Sequence, residues 1–132
     1  ATAARVLQNA HAMTDVTGFG LAGHLVGICA ASGVGAEINL GDVPVMQGAL
    51  NLATAGVLSS LFAENRAAGL GVTGPDSPVA DLMWDPQTAG GLLACVAAAD
   101  AAAVCDDLRT AGYDAAIIGK LTDQPGKISL RA

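Results

Sequence analysis

Aromatic residues are scarce in this chain: one Trp, one Tyr and two Phe, 3% of 132 residues. A core must therefore be built from Ala, Val, Leu and Ile. Basic residues are also few, with 6 Lys and Arg against 12 Asp and Glu and a net charge of −6. Only Arg5 and Arg66 precede Arg109. No basic patch can form, so nucleic-acid binding is not expected. No stretch reaches the roughly 18 apolar residues that cross a membrane, and nothing resembles a signal peptide. The three cysteines, Cys29, Cys95 and Cys105, are odd in number and fit neither a zinc pattern nor a disulfide framework. Each lies among apolar residues, which suits buried thiols in a reducing, cytoplasmic setting.

What is present is apolar. Hydrophobic residues make up 52% and charged residues 14%. That is ample for a core and sparse for a surface wholly in water. Part of the apolar surface is expected to meet a partner. The length suits one domain, residues 1–132. The chain starts without Met, inside a helix-like run from Ala3 to Ala12 that puts Arg5, Gln8 and His11 on one face. This opening reads as a cut through a longer protein.

The most informative stretch is Thr14-Asp15-Val16-Thr17-Gly18-Phe19-Gly20-Leu21. A carboxylate and two hydroxyls lead into a Gly-Phe-Gly turn, and a helix is expected from there to about Ser32. Thr17 is placed to cap that helix through its side-chain oxygen. Gly18 and Gly20 lack a Cβ and let a ligand approach their amides. Free N–H groups and the positive helix end suit an anion. Asp15 would repel that anion unless a cation stood between them. A magnesium-bridged phosphate satisfies both, since Mg²⁺ takes one or two carboxylates plus phosphate oxygens. The plainer alternative is a capped helix with glycines for tight packing. A helix-end charge effect is worth roughly 0.3–2 kcal/mol, and even millimolar binding needs about 4 kcal/mol. This turn cannot hold a nucleotide by itself.

Along the helix, Leu21, Leu25 and Ile28 recur at helical spacing, and Phe19, Val26 and Cys29 widen the stripe. His24 is expected to make a packing or capping hydrogen bond, because no partner set for a general base accompanies it. Ser32-Gly33-Val34-Gly35 ends the helix. Ala36 to Leu40 alternates as a strand. Met46 to Ala55 reads as a short helix. In the ambiguous stretch 57–71, Leu58, Leu61 and Phe62 are expected inside and Glu64-Asn65-Arg66 outside. Ser77 or Asp76 begins a short helix through Trp84.

The second motif is Asp85-Pro86-Gln87-Thr88-Ala89-Gly90-Gly91-Leu92-Leu93. It is a polar turn with paired glycines before the apolar run Leu92 to Ala97, which reads as a central strand buried on both faces. An ordinary turn into a strand is the alternative. Asp100 to Ala111 is a helix capped by Asp100. Strands are expected at Tyr113 to Leu121 and Lys127 to Arg131, possible partners in a hairpin. Helices and strands alternate irregularly, which favours an α+β or layered domain with a mixed sheet. The turn at Gly18 fails the Rossmann pattern, since it follows no buried strand and lacks the third glycine.

Together the Asp15 and Asp85 motifs resemble selenophosphate synthetase (selenide, water dikinase), with Ile117-Ile118-Gly119 matching a further strand of that family. The resemblance covers essentially the whole chain but only the family's C-terminal domain. It implies a three-layer α/β/α domain with a mixed sheet, of the kind found in the aminoimidazole ribonucleotide synthetase superfamily. It implies conversion of ATP, selenide and water to selenophosphate, AMP and phosphate, in a homodimer whose N-terminal domain carries most of the ATP site. Asp15 would supply a magnesium ligand, with Thr17, Gly18 and Gly20 beside the nucleotide. The family's reactive Cys or selenocysteine precedes this chain and corresponds to none of the three cysteines here. The alternatives are a catalytically inert folding or dimerisation domain, a related ATP-using synthetase, or a binder of small metabolites.

Overall fold

A computed structural model of the chain describes residues 2–132. Six short helices and six short strands follow in the order helix α1 (Thr2–Val6), strand β1 (Ala12–Asp15), α2 (Gly20–Ser32), β2 (Gly35–Asn39), α3 (Ala49–Thr54), α4 (Phe62–Ala68), β3 (Val72–Thr73), α5 (Pro78–Asp81), β4 (Leu92–Cys95), α6 (Ala101–Thr110), β5 (Gly119–Thr122) and β6 (Ile128–Arg131). Single 3-10 turns follow β2 at Leu40–Asp42 and α5 at Leu82–Trp84.

The strands form two sheets. Four of them lie in the order β3-β6-β2-β5. β2 runs antiparallel to β5 and parallel to β6, and β6 runs parallel to β3. The sheet is therefore mixed and the class is α+β, as the irregular alternation of elements implies. β1 and β4 form a separate antiparallel ribbon, with Asp15 opposite Leu92 and Ala12 opposite Cys95.

The longest helix, α2, ends as its sequence indicates. Gly33 takes a left-handed φ of 65° and its N–H returns to the Cys29 carbonyl. One side of α2 buries Ala22, Leu25 and Cys29 in a core shared with Ala36 and Ile38 of β2 and Ile128 and Leu130 of β6. Alternation places the inward residues of β2 and β6 on one face of the sheet. Met83 and Trp84 close the core beside α2. Each buried aliphatic side chain contributes about 1.5–3 kcal/mol by leaving water. α5 starts as expected, with the Ser77 oxygen accepting the Ala80 N–H and Pro78 in the first turn.

Several expectations from the sequence are corrected. The run from Ala3 to Ala12 is a helix only to Val6, and its end belongs to β1. The turn at Gly18 therefore does follow a strand. Thr17 does not cap α2. Phe19 occupies that position, no side chain caps the helix, and the Thr17 hydroxyl lies against His24. Leu92 to Ala97 is not a central strand; β4 has one partner, and Leu92 is exposed. The strand expected from Tyr113 shrinks to Gly119–Thr122, leaving Ile117 exposed. β5 and β6 do not pair as a hairpin but flank β2 on opposite sides. Asp100 precedes α6 without making a capping bond. Leu58 and Leu61 are exposed, whereas Asn65 is buried. A short apolar run shows that a segment packs on something, and not whether it has one strand neighbour or two.

Candidate functional site

β1 delivers Asp15 to the mouth of a strand–turn–helix unit. The Asp15 side chain is exposed and makes no ion pair or hydrogen bond among the described residues. The next residue, Val16, is buried, and its N–H donates to the Gly91 carbonyl at 2.9 Å. Strand alternation thus sends Asp15 outward while the following side chain anchors the turn.

The turn itself is densely bonded. The Thr17 N–H donates to Nε2 of His24 at 3.0 Å, and the Thr17 hydroxyl lies 3.2 Å from the same nitrogen. Because Nε2 accepts the amide proton, His24 is the tautomer protonated on Nδ1. This is the packing role expected of His24. The Thr17 carbonyl accepts from Gly20 N–H at 3.1 Å and from Gln87 N–H at 3.0 Å. The Gly18 carbonyl accepts from Nδ2 of Asn65 at 2.9 Å. The Phe19 ring stands over His24 with centroids 5.6 Å apart.

The two glycines of the turn differ in what they do. Gly20 is buried with φ 73°, and a Cβ there would lie 2.7 Å from the Met83 carbonyl oxygen and 2.8 Å from the Trp84 carbonyl carbon. Its N–H is already taken by Thr17, so its part is steric. Gly18 is exposed, and a Cβ there would meet nothing within 4 Å. The open approach to the turn is therefore at Gly18.

The second motif is brought against the first. Gln87 bonds to Thr17, and Gly90 lies so close to the Val16 carbonyl that a Cβ would sit 2.1 Å from its oxygen. The Gln87 amide also contacts an Asp85 carboxylate oxygen at 3.3 Å. A third residue, which no sequence signal marked, also bridges the two motifs. Asn65 of α4 donates to Gly18 on one side and to the Trp84 carbonyl at 3.0 Å on the other. It stood in a polar triplet expected to face solvent, and no periodicity distinguished it.

A magnesium ion fits this turn only in part. Among the described residues no three His, Cys, Asp or Glu side chains gather as a metal cage. Asp15 offers one carboxylate, and a Cβ on Gly18 would meet nothing within 4 Å. Mg²⁺ keeps several waters and draws its other ligands from phosphate, so one carboxylate suits a shared site and not a self-contained one. The cysteines stand apart from such chemistry. Burial pushes the Cys95 thiol up, and burial followed by the neighbouring Cys95 does the same for Cys29. Raised thiols are poor nucleophiles.

Fold and site define an α+β domain with a mixed sheet, in which a two-stranded ribbon and the long helix present a glycine turn beside a free carboxylate. Residues 1–130 match AIR synthase related protein, C-terminal domain, and the chain belongs to that family. It is 45% identical over 91 residues to a selenide, water dikinase of Dechloromonas aromatica, a match covering 66% of this chain and 26% of that protein. To the selenide, water dikinase of Burkholderia cenocepacia it is 38% identical over 131 residues, 94% of this chain and 36% of the relative. A third relative, selenide, water dikinase 2 of Peptoclostridium acidaminophilum, is 34% identical over 90% of this chain and 35% of its own length. The chain thus spans between a quarter and two fifths of the length of these relatives. The fold is shared with hydrogenase maturation protein HypE in complex with ATP, at a TM-score of 0.68, 21% identity, and coverage of 94% of this chain and 33% of that one.

Proposed function

We propose that this chain is the C-terminal domain of an ATP-dependent selenophosphate synthetase, and that it lends Asp15 to a magnesium–nucleotide site completed by the rest of the protein. The observation that supports this most directly is the state of Asp15. It is an exposed carboxylate without a partner among the described residues, at the mouth of a turn otherwise held by hydrogen bonds. The similarity to selenide, water dikinases along most of the chain supports this reading.

In this reading the whole protein is a cytoplasmic homodimer that turns ATP, selenide and water into selenophosphate, AMP and phosphate. Bound magnesium neutralises phosphate charge. Asp15 holds the metal, Gly18 admits the phosphate chain, Gly20 lets the turn close on the Trp84 segment, and Thr17, held by His24, keeps the turn in shape beside the nucleotide. Selenide and most of the ATP contacts belong to the other domain.

The test is a chimera in which this chain replaces the matching part of the Burkholderia cenocepacia enzyme. It is expected to form AMP from ATP only when selenide is present, and Asp15→Asn is expected to lower kcat/KM by about 100-fold or more, at least what loss of an outer metal partner costs. The 132-residue chain alone is expected to bind Mg-ATP no tighter than about millimolar by titration calorimetry, because a lone ligand supplies too little free energy. A folded chimera indifferent to Asp15→Asn would sink the proposal.

A further inference from the structure

Asn65 is the only buried polar or charged residue among those described, at 8% exposure. It has no packing reason to be polar, since Phe62 on the same helix reaches the core as an apolar side chain. Both of its neighbours are carbonyl oxygens, which only accept, so the amide nitrogen must face them. One NH₂ group therefore satisfies Gly18 at 2.9 Å and Trp84 at 3.0 Å. Gly18 lies in the turn after Asp15, and Trp84 immediately precedes the Asp85 motif. Gly18 and Trp84 are 47 and 19 residues from Asn65 in sequence, and this bridge adds to the Val16–Gly91 and Thr17–Gln87 hydrogen bonds that already join the two motifs.

α4 has contacts on both sides of Asn65. Arg66 pairs with Asp76 and lies 3.5 Å from Asp81, and the Trp84 ring lies where a Cβ on Gly69 would stand. The Asn65 amide thus projects from a helix whose end packs on the Trp84 ring. A peptide unit is planar and trans, so fixing the Gly18 carbonyl toward Asn65 turns the Phe19 N–H of the same unit the opposite way. That N–H makes no backbone hydrogen bond among the described residues. Gly18 has no side chain and no neighbour within 4 Å of its Cβ position, so sterics alone would not hold this peptide.

We propose that Asn65 is a positioning residue of the nucleotide site: it holds the Gly18 and Trp84 carbonyls together and so sets the Gly18–Phe19 peptide and the start of the 85–91 segment relative to Asp15. This rests on reading the turn as part of a Mg-ATP site. Asn65 touches no phosphate itself. It presents the Phe19 N–H toward the ligand side and keeps the turn from rotating when the ligand leaves.

Two measurements test it. In the 132-residue chain, Asn65→Leu keeps a similar volume without the donors. It should shift the Gly18 and Phe19 amide resonances and speed hydrogen exchange at Gln87 and Gly20 about tenfold, the effect of about 1.4 kcal/mol, while Leu25 and Cys29 amides stay unchanged. Unchanged turn amides would overturn the proposal. Should Asn65→Leu not fold, the native chain decides by scalar couplings across the hydrogen bonds from the Asn65 amide to the Gly18 and Trp84 carbonyl carbons; their absence would overturn it equally. In the chimera, Asn65→Leu should raise KM for Mg-ATP about tenfold with kcat within about threefold. A merely structural role would lower kcat with the folded fraction and leave KM alone, and that outcome overturns the positioning role. A chimera that forms no AMP with Asn65 intact instead overturns the nucleotide reading, and the amide measurements then stand by themselves.

Discussion

Gly18 and Gly20 stand two positions apart and are glycine for different reasons. A methyl at Gly20 would be strained twice, by a φ of 73° and by the Met83 and Trp84 backbone. The left-handed conformation costs about 1–2 kcal/mol for an L-residue, and overpacking adds about 1–3 kcal/mol. Gly20→Ala should therefore lower unfolding stability by about 2–5 kcal/mol. Gly18→Ala meets open space and should change stability by less than about 0.5 kcal/mol, yet weaken Mg-ATP binding in the chimera by narrowing the approach. Urea midpoints of the two variants check the first contrast. Equal midpoints would mean that the turn is not packed on the Trp84 segment. The sequence showed that glycines mattered here, and the helical period after Gly20 placed the helix correctly. It did not show which glycine packs, because the atoms that crowd Gly20 arrive from Met83 to Asp85.

At the scale of elements, β6 carries more than its four residues suggest. It lies inside the four-stranded sheet, parallel to both β3 and β2, and buries Ile128 and Leu130. Across it, Glu37 of β2 meets Arg131 at 2.7 Å, and on the other side Lys120 of β5 at 3.6 Å. Such exposed pairs are worth less than about 1 kcal/mol each, so the apolar pair dominates. Two buried aliphatic side chains contribute about 3–6 kcal/mol, against a total stability of about 5–15 kcal/mol for a domain. Deleting residues 127–132 should abolish the near-ultraviolet circular dichroism of the buried Trp84 and leave a loosely packed chain. A sharp cooperative melt in the truncated chain would contradict this. The alternation of Ile128 and Leu130 made a strand legible. A hairpin with β5 was the economical guess because the two are near in sequence, but the tertiary pairing places β2 between them.

The whole molecule has a net charge of −6 and three thiols, none of which the proposed chemistry uses. For Cys29 and Cys95, burial holds the folded pKa above the ordinary 9.0. An unfolded chain ionises these groups first, so above pH 9 it binds fewer protons than the folded chain and stability falls as pH rises. Below that pH both states keep the protons and the contribution is constant. Urea midpoints at pH 8, 9 and 10 should fall across the upper interval, by at most about 1.4 kcal/mol per pH unit for each thiol. In Cys95→Ala the fall should be shallower. A slope unaffected by that change would exclude the thiols as its cause.

Composition determined the material of the core, Ala, Val, Leu and Ile, and periodicity determined α2, with its glycine stop at Gly33, and β2. Two glycine motifs in order were enough to imply the family, because they depend on residues adjacent in the chain. Only the tertiary structure decided that Thr17 locks onto His24 and does not cap its helix, and that Gly20 is crowded by backbone while Gly18 is open. It alone buried Asn65 between the two motifs. These outcomes depend on donors and acceptors brought together from distant segments, and hydrogen-bond partners across 47 residues leave no period in a sequence.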